Sequence, residues 1–531
     1  VPTNVPTNVP TNVPTNVPTN VPTNVPTNVP THRLLEALRD AGLVSSQSPS
    51  LPDAIRDLVD DSRRVQAGAA FLAVHGAVQD GHAWLPTARD AGATLAIVED
   101  PTAADAVGLP YVAVRDGRRA AAVAAAAFHD WPARALTLVG VTGTNGKTTT
   151  VGLLRHLLDS PEHPAASIGT LGVLLGSGGE EMPGGGGLTT PGPVELQRLL
   201  RALVDRGIKT VAMETSSHAL DQRRVDALSF SAAIFTNLTR DHLDYHLTMD
   251  AYREAKLRLV GLLARDGVAC INADDPAWQG IANAPRVVTF GTDPQAQVSA
   301  RDVVYGSEGS RFLLTAPAGA HPVSLPLIGD FNVANALGAA SAALALGMTV
   351  AEVADRLSRS PQVPGRLERL RTGPTVLRDY AHTPDALERA LRAVRPFTRA
   401  HGAQADDGEA SRLFVLFGCG GDRDRGKRPE MGRLAEQLGD VAIVTSDNPR
   451  TEDPERILDD IEAGMTRGVH VRITDRRDAI ADALRRARPQ DVILLAGKGH
   501  ETYQIRGTTA YPFDERAIVA ELSASILGAS A

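Results

Sequence analysis

The stretch GVTGTNGKTTT (140–150) constrains this chain more than any other. The apolar run ALTLVGVTG (135–143) predicts a strand, and TTTVGLLRHLL after the glycines predicts a helix. A strand that feeds a glycine-rich turn into a helix start aims backbone N–H groups and the positive end of the helix dipole at one spot. That makes a phosphate cradle. In such a cradle Lys147 reaches the β- and γ-phosphates and the Thr148 hydroxyl can ligate Mg²⁺. The spacing departs from GxxxxGK[ST]: the first glycine would fall at Val141, and instead Gly143 stands three residues before Gly146.

With 531 residues the chain is too long for one core, and three or four domains are expected. A net charge of −8 gives no general attraction to nucleic acid or anionic lipid, so an anionic ligand must be held by local features. Two cysteines, Cys270 and Cys419, make no disulfide framework. No apolar run approaches the roughly 18–20 residues of a membrane span. The start carries no basic region followed by an apolar core, so a cytoplasmic location is expected.

Residues 1–31 are seven VPTN tetrads followed by Val29, Pro30 and Thr31. Proline at every fourth position removes a backbone donor and fixes φ, which predicts an extended, disordered tail. A first domain is expected over 32–133. It should hold a helix in HRLLEALRDAGL, strands at 69–74 and 94–99, and an alanine-rich helix at 118–130. A second domain is expected over 134–364, with strands at 210–215, 231–238, 267–272 and 286–291 alternating with helices, hence a mostly parallel sheet. Within it, 175–187 reads as a flexible loop. A third α/β domain is expected over 365–531, built on TVLRDYA, RLFVLFG, VAIVTSD and DVILLAG, with 401–410 as a surface loop.

GTNGKT (143–148) resembles the ATP loop of the Mur ligases and of the related folylpolyglutamate synthetases. The remaining motifs, from about residue 51 onward, resemble the Mur ligases that add the third residue to the peptidoglycan precursor peptide. The resemblance implies three α/β domains: a nucleotide-sugar domain, a central P-loop ATPase domain and a Rossmann-like C-terminal domain. It implies ATP as substrate, held by Gly143, Thr144, Asn145, Gly146, Lys147, Thr148 and Thr149, and two Mg²⁺ ions. In METSSHAL (213–220) Glu214 stands at a strand end, where a carboxylate can face the loop and suits a hard cation. The family shares that ion between this glutamate and Thr148. His242, in TNLTRDHLDYH, matches a ligand of the second ion. Lys256, in YREAKLRL, reads by itself as a solvated helix lysine; the resemblance makes it a lysine carbamylated by CO₂, an anionic oxygen ligand. Carbamylation needs the neutral amine, which desolvation or neighbouring cations favour.

The resemblance also assigns substrate contacts. Thr189 and Thr190 (LTTPGP), with Ser216, Gln222 and Arg224 (SSHALDQRRV), match contacts to the nucleotide-sugar peptide, and Ser62 (DSRRV) its uridine contact. VHGAVQDGHAW (74–84) fits the pattern of the same domain. Asn332 (GDFNVANALGA) would lie near adenine. Arg366 (PGRLE), with Asp379, Tyr380 and His382 (RDYAHTPDAL), would complete the ATP site when the third domain closes, although TPDAL is by itself a capped helix start. GCGGDRDRGKRPEMG, TSDNPRTEDP and AGKGHETYQ supply Arg423, Asp447, Asn448, Pro449, Arg450, Gly497 and Glu501, which would read the incoming amino acid. A guanidinium fork can grip the distal carboxylate of meso-diaminopimelate, which lysine lacks, and Glu501 can pair with an ammonium.

The implied reaction starts with the D-glutamyl carboxylate of UDP-N-acetylmuramoyl-L-alanyl-D-glutamate attacking the γ-phosphate of ATP. The acyl phosphate then meets the amine of the diamino acid. Lys147 and two Mg²⁺ ions would offset the repulsion between the anions. No base for the amine is assigned, and a monomer is expected. L-lysine or L-ornithine as the added residue stays open, as does a P-loop NTPase that acts as a switch. Folylpolyglutamate synthesis fits less well, since DNPR and AGKGHETYQ do not suit it.

Overall fold

The computed structural model describes residues 28–76, 79–185, 187–281, 283–371, 373–402 and 410–526. The first sheet has five strands in the order Val44–Gln47, Tyr111–Val114, Leu95–Val98, Ala69–Ala73, Asp57–Val59, parallel except for the outermost first pair. Helix Gly117–Phe128 packs against it and is buried along almost its whole length; its alanines allow close approach on every side. Asp116 starts that helix by accepting from the Arg119 N–H at 3.0 Å. Helix Thr31–Asp40 turns Leu34, Leu35 and Leu38 onto the same core, as its spacing predicts.

The tail expectation needs correction at its end. Residues 1–27 lie outside the described residues, but Val29 and Pro30 pair antiparallel with Ile55 and Ala54, and Thr31 opens the helix. A missing N–H every fourth residue forbids a long ladder, yet it does not forbid a two-residue bridge. Val29 is 3% exposed among Leu34, Leu38 and Ile55, and the Thr31 N–H donates to Asp53 O at 2.9 Å.

The central sheet has eleven strands. Its middle, Ala165–Gly169, Thr210–Glu214, Thr137–Thr142, Phe230–Phe235, Leu263–Asn272, Arg286–Gly291 and Val298–Gly306 in that order, is parallel throughout. Both margins are antiparallel: Gly172–Leu175 and Glu180–Met182 on one side, Gly309–Ala316 and Gly319–Leu325 on the other. The expected loop 175–187 thus contains a strand, because Met182 is buried opposite Val173 and anchors the pair. Helices Lys147–Leu158 and Asp330–Ala345 cover one face, and Pro193–Asp205 lies on the other.

The last six-stranded sheet runs Glu368–Arg371, Thr375–Asp379, Val492–Ala496, Leu413–Phe417, Val441–Val444, Val471–Arg472, parallel except for its first pair. Helix Glu515–Ile526 is tied to it by Arg476, whose Nε donates to Glu515 Oε1 at 2.8 Å with both side chains fully buried. Residues 403–409 of the expected 401–410 loop lie outside the described residues; 401 and 402 end the helix Pro384–Gly402. No described helix is long and apolar enough to cross a membrane.

These contacts separate two truncations. A chain starting at Asn28 keeps Val29 and Thr31; one starting at His32 loses both. Burying a valine stabilises by about 1.5–3 kcal/mol, so the shorter chain is expected to unfold at lower denaturant by that amount, while the longer one matches the full chain in equilibrium unfolding.

Candidate active site

Strands Thr137–Thr142, Thr210–Glu214 and Phe230–Phe235 end side by side, and their C-terminal ends open on a cleft of about 1400 Å³ that reaches across to the third sheet. Ligands of parallel α/β sheets sit at this edge. Gly143 (φ 145°) and Gly146 (φ 86°) give the loop its shape. A Cβ on Gly143 would run into Thr236 Oγ1, and one on Gly146 into Asn335 Oδ1, so side chains are excluded by contact as well as by conformation. Thr144, Asn145, Gly146, Lys147, Thr148 and Thr149 all line the cleft. The loop is fastened from below: the Asn145 N–H donates to Asn237 Oδ1 at 2.9 Å, and Thr236 Oγ1 donates to Asn145 O at 2.7 Å.

Two lysines meet on this loop. Lys147 Nζ donates to Gly143 O at 2.9 Å and Thr144 O at 2.7 Å. Lys256, 1% exposed on helix Met249–Leu257, also donates to Gly143 O, at 2.8 Å, with Nζ 4.4 Å above the Tyr252 ring. Desolvation, reinforced by the Lys147 charge, holds the Lys256 amine well below the ordinary lysine range, with Asp241 opposing. Lys256 is therefore no solvated helix lysine. Burial also lowers Lys147, against the attraction of Glu214 and Asp241.

Glu214, 1% exposed, sits at its strand end as predicted and lines the cleft together with Thr148. It accepts from the Thr170 N–H at 2.8 Å and Thr170 Oγ1 at 3.2 Å. His242 lines the same cleft in a left-handed conformation (φ 52°) and stacks edge-on with His218 at 4.8 Å. Desolvation lowers His242, with Asp241 pulling the other way, and it brings the neighbouring His218 to about 4.

Residues of the third sheet complete the cleft. Arg366 Nη2 donates to Thr148 Oγ1 at 3.0 Å, and Asn145 Nδ2 donates to Asp385 Oδ2 at 3.3 Å. Asp379, Tyr380 and His382 line the wall facing the loop. Burial pushes the Asp379 carboxyl up to about 6, against Arg366 and the Leu367 N–H, which donates to it at 2.7 Å. Asn332 does not reach the cleft. It is fully buried, its Nδ2 donating to Ile328 O at 2.8 Å, and Asn335, one helical turn on, lines the cleft instead.

Thr189 lines the cleft beside Thr170, and Thr190 begins a polar chain leading away from it. Thr190 Oγ1 donates to Glu214 O at 2.8 Å and accepts from the Ser216 N–H at 3.0 Å; Arg224 Nη1 donates to Thr190 O at 2.8 Å and Nη2 to Gln222 Oε1 at 2.6 Å. Thr190, Ser216, Gln222 and Arg224 thus form one network. Ser62 opens a short turn in the first unit, outside the cleft lining. That unit approaches near Gly192, where a Cβ would stand 3.7 Å from Asp60 Oδ2.

The amino-acid residues also converge. Asn448 Nδ2 donates to Glu501 Oε2 at 2.9 Å, and Gly497 (φ 112°) leaves room for the Asp447 carboxylate. Pro449 and Arg450 pack on the glycine turn: Pro449 O touches Gly421, and Arg450 Nη1 donates to Gly421 O at 2.9 Å. Burial and the neighbouring Arg423 charge lower the Arg450 guanidinium, while Asp447 and Glu501 raise it. Sequence reasoning missed Lys498, fully buried in AGKGHETYQ, with Nζ 3.1 Å from Asn448 Oδ1 and 3.2 Å from Glu501 Oε2. Tyr380 links both regions, since its ring packs 5.2 Å from His500 and 5.1 Å from the Arg366 guanidinium.

The donors fit a hard cation at one place: the Thr148 hydroxyl and Glu214 carboxylate offer oxygens beside the phosphate loop. His75, Asp80 and His82 also come close enough to hold an ion. There the hydrogen bonds argue otherwise: His82 Nε2 accepts from the N–H groups of Glu99 at 3.0 Å and Asp100 at 3.2 Å, so the proton sits on Nδ1, 2.6 Å from Asp80 Oδ1.

Residues 55–129 match the family model described as Mur ligase family, catalytic domain; 141–343 match the Mur ligase middle domain, and 365–499 the Mur ligase, glutamate ligase domain. A UDP-N-acetylmuramoyl-L-alanyl-D-glutamate--2,6-diaminopimelate ligase from Gloeobacter violaceus is 44% identical over 489 residues, covering 91% of this chain and 96% of that protein. One of the same name from Geobacter metallireducens is 43% identical, covering 90% and 95%. A solved structure of such a ligase superimposes with a TM-score of 0.63 at 32% identity, over 90% of this chain and 96% of that one. Mycobacterium tuberculosis folylpolyglutamate synthase complexed with ADP shares the fold, with a TM-score of 0.57 at 18% identity over 71% and 91%.

The raised Asp379 carboxyl has a signed consequence. Below the ordinary aspartate value the group is protonated folded and unfolded alike; as pH rises from there through about 6 the unfolded chain gives up the proton first, so stability is lost across that window and stays lost above it. Asp379→Asn, which can still accept from Leu367, is expected to raise Tm at pH 8 and to leave it unchanged near pH 3.5; thermal unfolding at the two pH values checks this.

Proposed function

Because this chain belongs to the Mur ligase family, we propose that it is an ATP-dependent ligase joining meso-diaminopimelate to UDP-N-acetylmuramoyl-L-alanyl-D-glutamate in peptidoglycan precursor synthesis. The observation that carries this reading is the convergence, through Tyr380, of a phosphate cradle and a cluster in which Asn448, Lys498 and Glu501 are bonded to one another near the Arg450 guanidinium.

In this reading the amides of Gly143 to Thr149 and Lys147 hold the triphosphate, and Arg366 approaches it from the third unit. Asn335, beside Gly146, takes the adenine-side place that sequence gave to Asn332. Asp379 accepts from the nucleotide's sugar hydroxyls on the facing wall. Thr189, Thr190, Ser216, Gln222 and Arg224 direct the nucleotide-linked dipeptide so that its D-glutamyl carboxylate points at the γ-phosphate, with Ser62 on the uridine. That carboxylate attacks the γ-phosphorus, the bond from γ-phosphorus to ADP breaks, and an acyl phosphate is left. Arg423 and Arg450 grip the distal carboxylate of the diamino acid, Asp447, Asn448 and Glu501 receive its distal ammonium, and Gly497 leaves space for them. The other amine then attacks the acyl carbon, and phosphate departs as the amide forms. Closing Arg366 and Tyr380 over the loop keeps water from the acyl phosphate.

Bound Mg²⁺ supplies charge neutralisation between the approaching anions. Thr148 and Glu214 would hold one ion. At a second, His242 would act with Lys256, whose nitrogen suits magnesium only once CO₂ has made it a carbamate oxygen ligand; the depressed, buried amine supports that conversion. Substrates of this kind place the reaction in the cytoplasm.

Phosphate release should require ATP, the nucleotide dipeptide and meso-diaminopimelate together, with one amide per phosphate. L-lysine and L-ornithine are run as separate arms; ATP turnover independent of both co-substrates would defeat the proposal. Removing the cradle's cation in Lys147→Ala is expected to lower kcat by roughly 10²–10³-fold. Lys256→Ala is expected to abolish turnover with no rescue by bicarbonate, and Arg450→Ala to cut kcat/KM for meso-diaminopimelate roughly 10–100-fold, measured by coupled ADP assay.

A further inference from the structure

Among the residues proposed to receive the amino acid lies a cation that cannot reach solvent. Lys498 is fully buried, and its ammonium lies 3.2 Å from Glu501 Oε2, 3.1 Å from Asn448 Oδ1 and 3.8 Å from Asp447 Oδ1. The aromatic rings of Tyr503 and Phe513 stand 5.9 and 6.0 Å away. Its three donors are therefore turned toward the polar wall of the pocket.

The hydrogen bonds on that wall have a direction. Asn448 Oδ1 accepts from Lys498 and also from the Ile505 N–H at 3.0 Å, which fixes its amide so that Nδ2 must point at Glu501. Lys498 and Asn448 both donate to Oε2 of Glu501, and no described donor meets Oε1. The carboxylate is thus held by one oxygen and offers the other. Charge follows the same logic. Asp447 and Glu501 both lie within 4 Å of one ammonium, so the three side chains together carry one net negative charge. That matches one substrate ammonium. Without the lysine, Asp447 and Glu501 would keep only the more distant Arg450 charge against their repulsion, with side chains 9% and 17% exposed.

We propose that Lys498 is a positioning residue for the diamino acid: it locks Asn448, presents Glu501 Oε1, and sets the charge of the ammonium-binding wall. Since it acts through Glu501 and Asn448, Lys498 touches no substrate. This inference rests on the ligase reading above and adds a residue to it. Its effect should fall mainly on one substrate, because Lys498 bonds Asn448 and Glu501, whereas the tie to the ATP loop runs through His500, Tyr380 and Arg366.

The test is steady-state kinetics of Lys498→Met, which keeps the buried stem and removes the charge. KM for meso-diaminopimelate is expected to rise at least tenfold. KM for ATP and for the nucleotide dipeptide should stay within twofold, and the acid limb of kcat/KM for the diamino acid should move to higher pH. Arg450→Ala, which leaves the Lys498 ion pairs in place, should raise the same KM and move that limb less than Lys498→Met does. Equal losses for all three substrates, or an unchanged KM for meso-diaminopimelate, would overturn the inference. If the methionine variant does not accumulate folded, Lys498→Gln, which retains a donor to Asn448 without the charge, is read by the same split and the same outcomes. Failure of the unmodified enzyme to form amide would reject the ligase reading instead, so the two failures are told apart.

Discussion

A single carbonyl, that of Gly143, organises the catalytic half of this molecule. It accepts from Lys147 at 2.9 Å and from Lys256 at 2.8 Å, so two amino nitrogens lie within about 6 Å of each other. Two ammonium charges at that range repel by roughly 3 kcal/mol at an effective dielectric of 20. A neutral carbonyl cannot cancel that cost. Burial and this repulsion together hold the Lys256 amine well below the ordinary lysine range, which is the condition the proposed carbamylation needs. The carbonyl can occupy this position only because residue 143 is glycine: a Cβ would strike Thr236 Oγ1, whose hydroxyl in turn braces the loop at Asn145 O.

From that loop a short series of contacts leads to the amino-acid pocket. Arg366 bonds Thr148 and stacks near Tyr380, Tyr380 packs on His500, and His500 lies next to Glu501 in the chain. On the other side Lys427 Nζ donates to His382 O at 2.8 Å, tying the arginine-rich segment to the cleft wall. The two sites are therefore held by the same few side chains. A shift of the third unit would disturb both ends of this series together, which suits the proposed ligation, where an acyl phosphate must meet an amine before water does.

Much of this was legible in sequence, for identifiable reasons. The glycine loop, its flanking strand and helix, and Glu214 at a strand end follow from local pattern, because backbone geometry there leaves little choice. The antiparallel margins were not legible. Segments 309–316 and 319–325 mix polar and apolar residues with no helical spacer between them, and their place in the sheet is set by pairing. Val29 was hidden by the repeat it ends, since its burial depends on Ile55, far along the chain. Asn332 and Asn335 differ by one helical turn, and only the packing of their helix decides which one meets Gly146. Lys498 looked like any lysine between glycines; its burial depends on Tyr503, Phe513 and Asn448, three separate stretches of chain.

The two buried lysines show why residue type alone underdetermines function. Lys256 and Lys498 are both shut from water, yet their partners differ in kind. Lys256 meets a neutral carbonyl and a like charge, which favours giving up the proton. Lys498 meets a carboxylate at 3.2 Å and another at 3.8 Å, an arrangement that compensates a buried ammonium. The first environment suits the carbamylation proposed above, and the second holds a fixed counter-charge. In a chain whose net charge of −8 favours neither site, these local pairings supply the selectivity, each acting over a few ångströms. The proposed phosphate and ammonium sites can then stand close together, because the Lys256 amine is held low and the Lys498 ammonium is paired with two carboxylates.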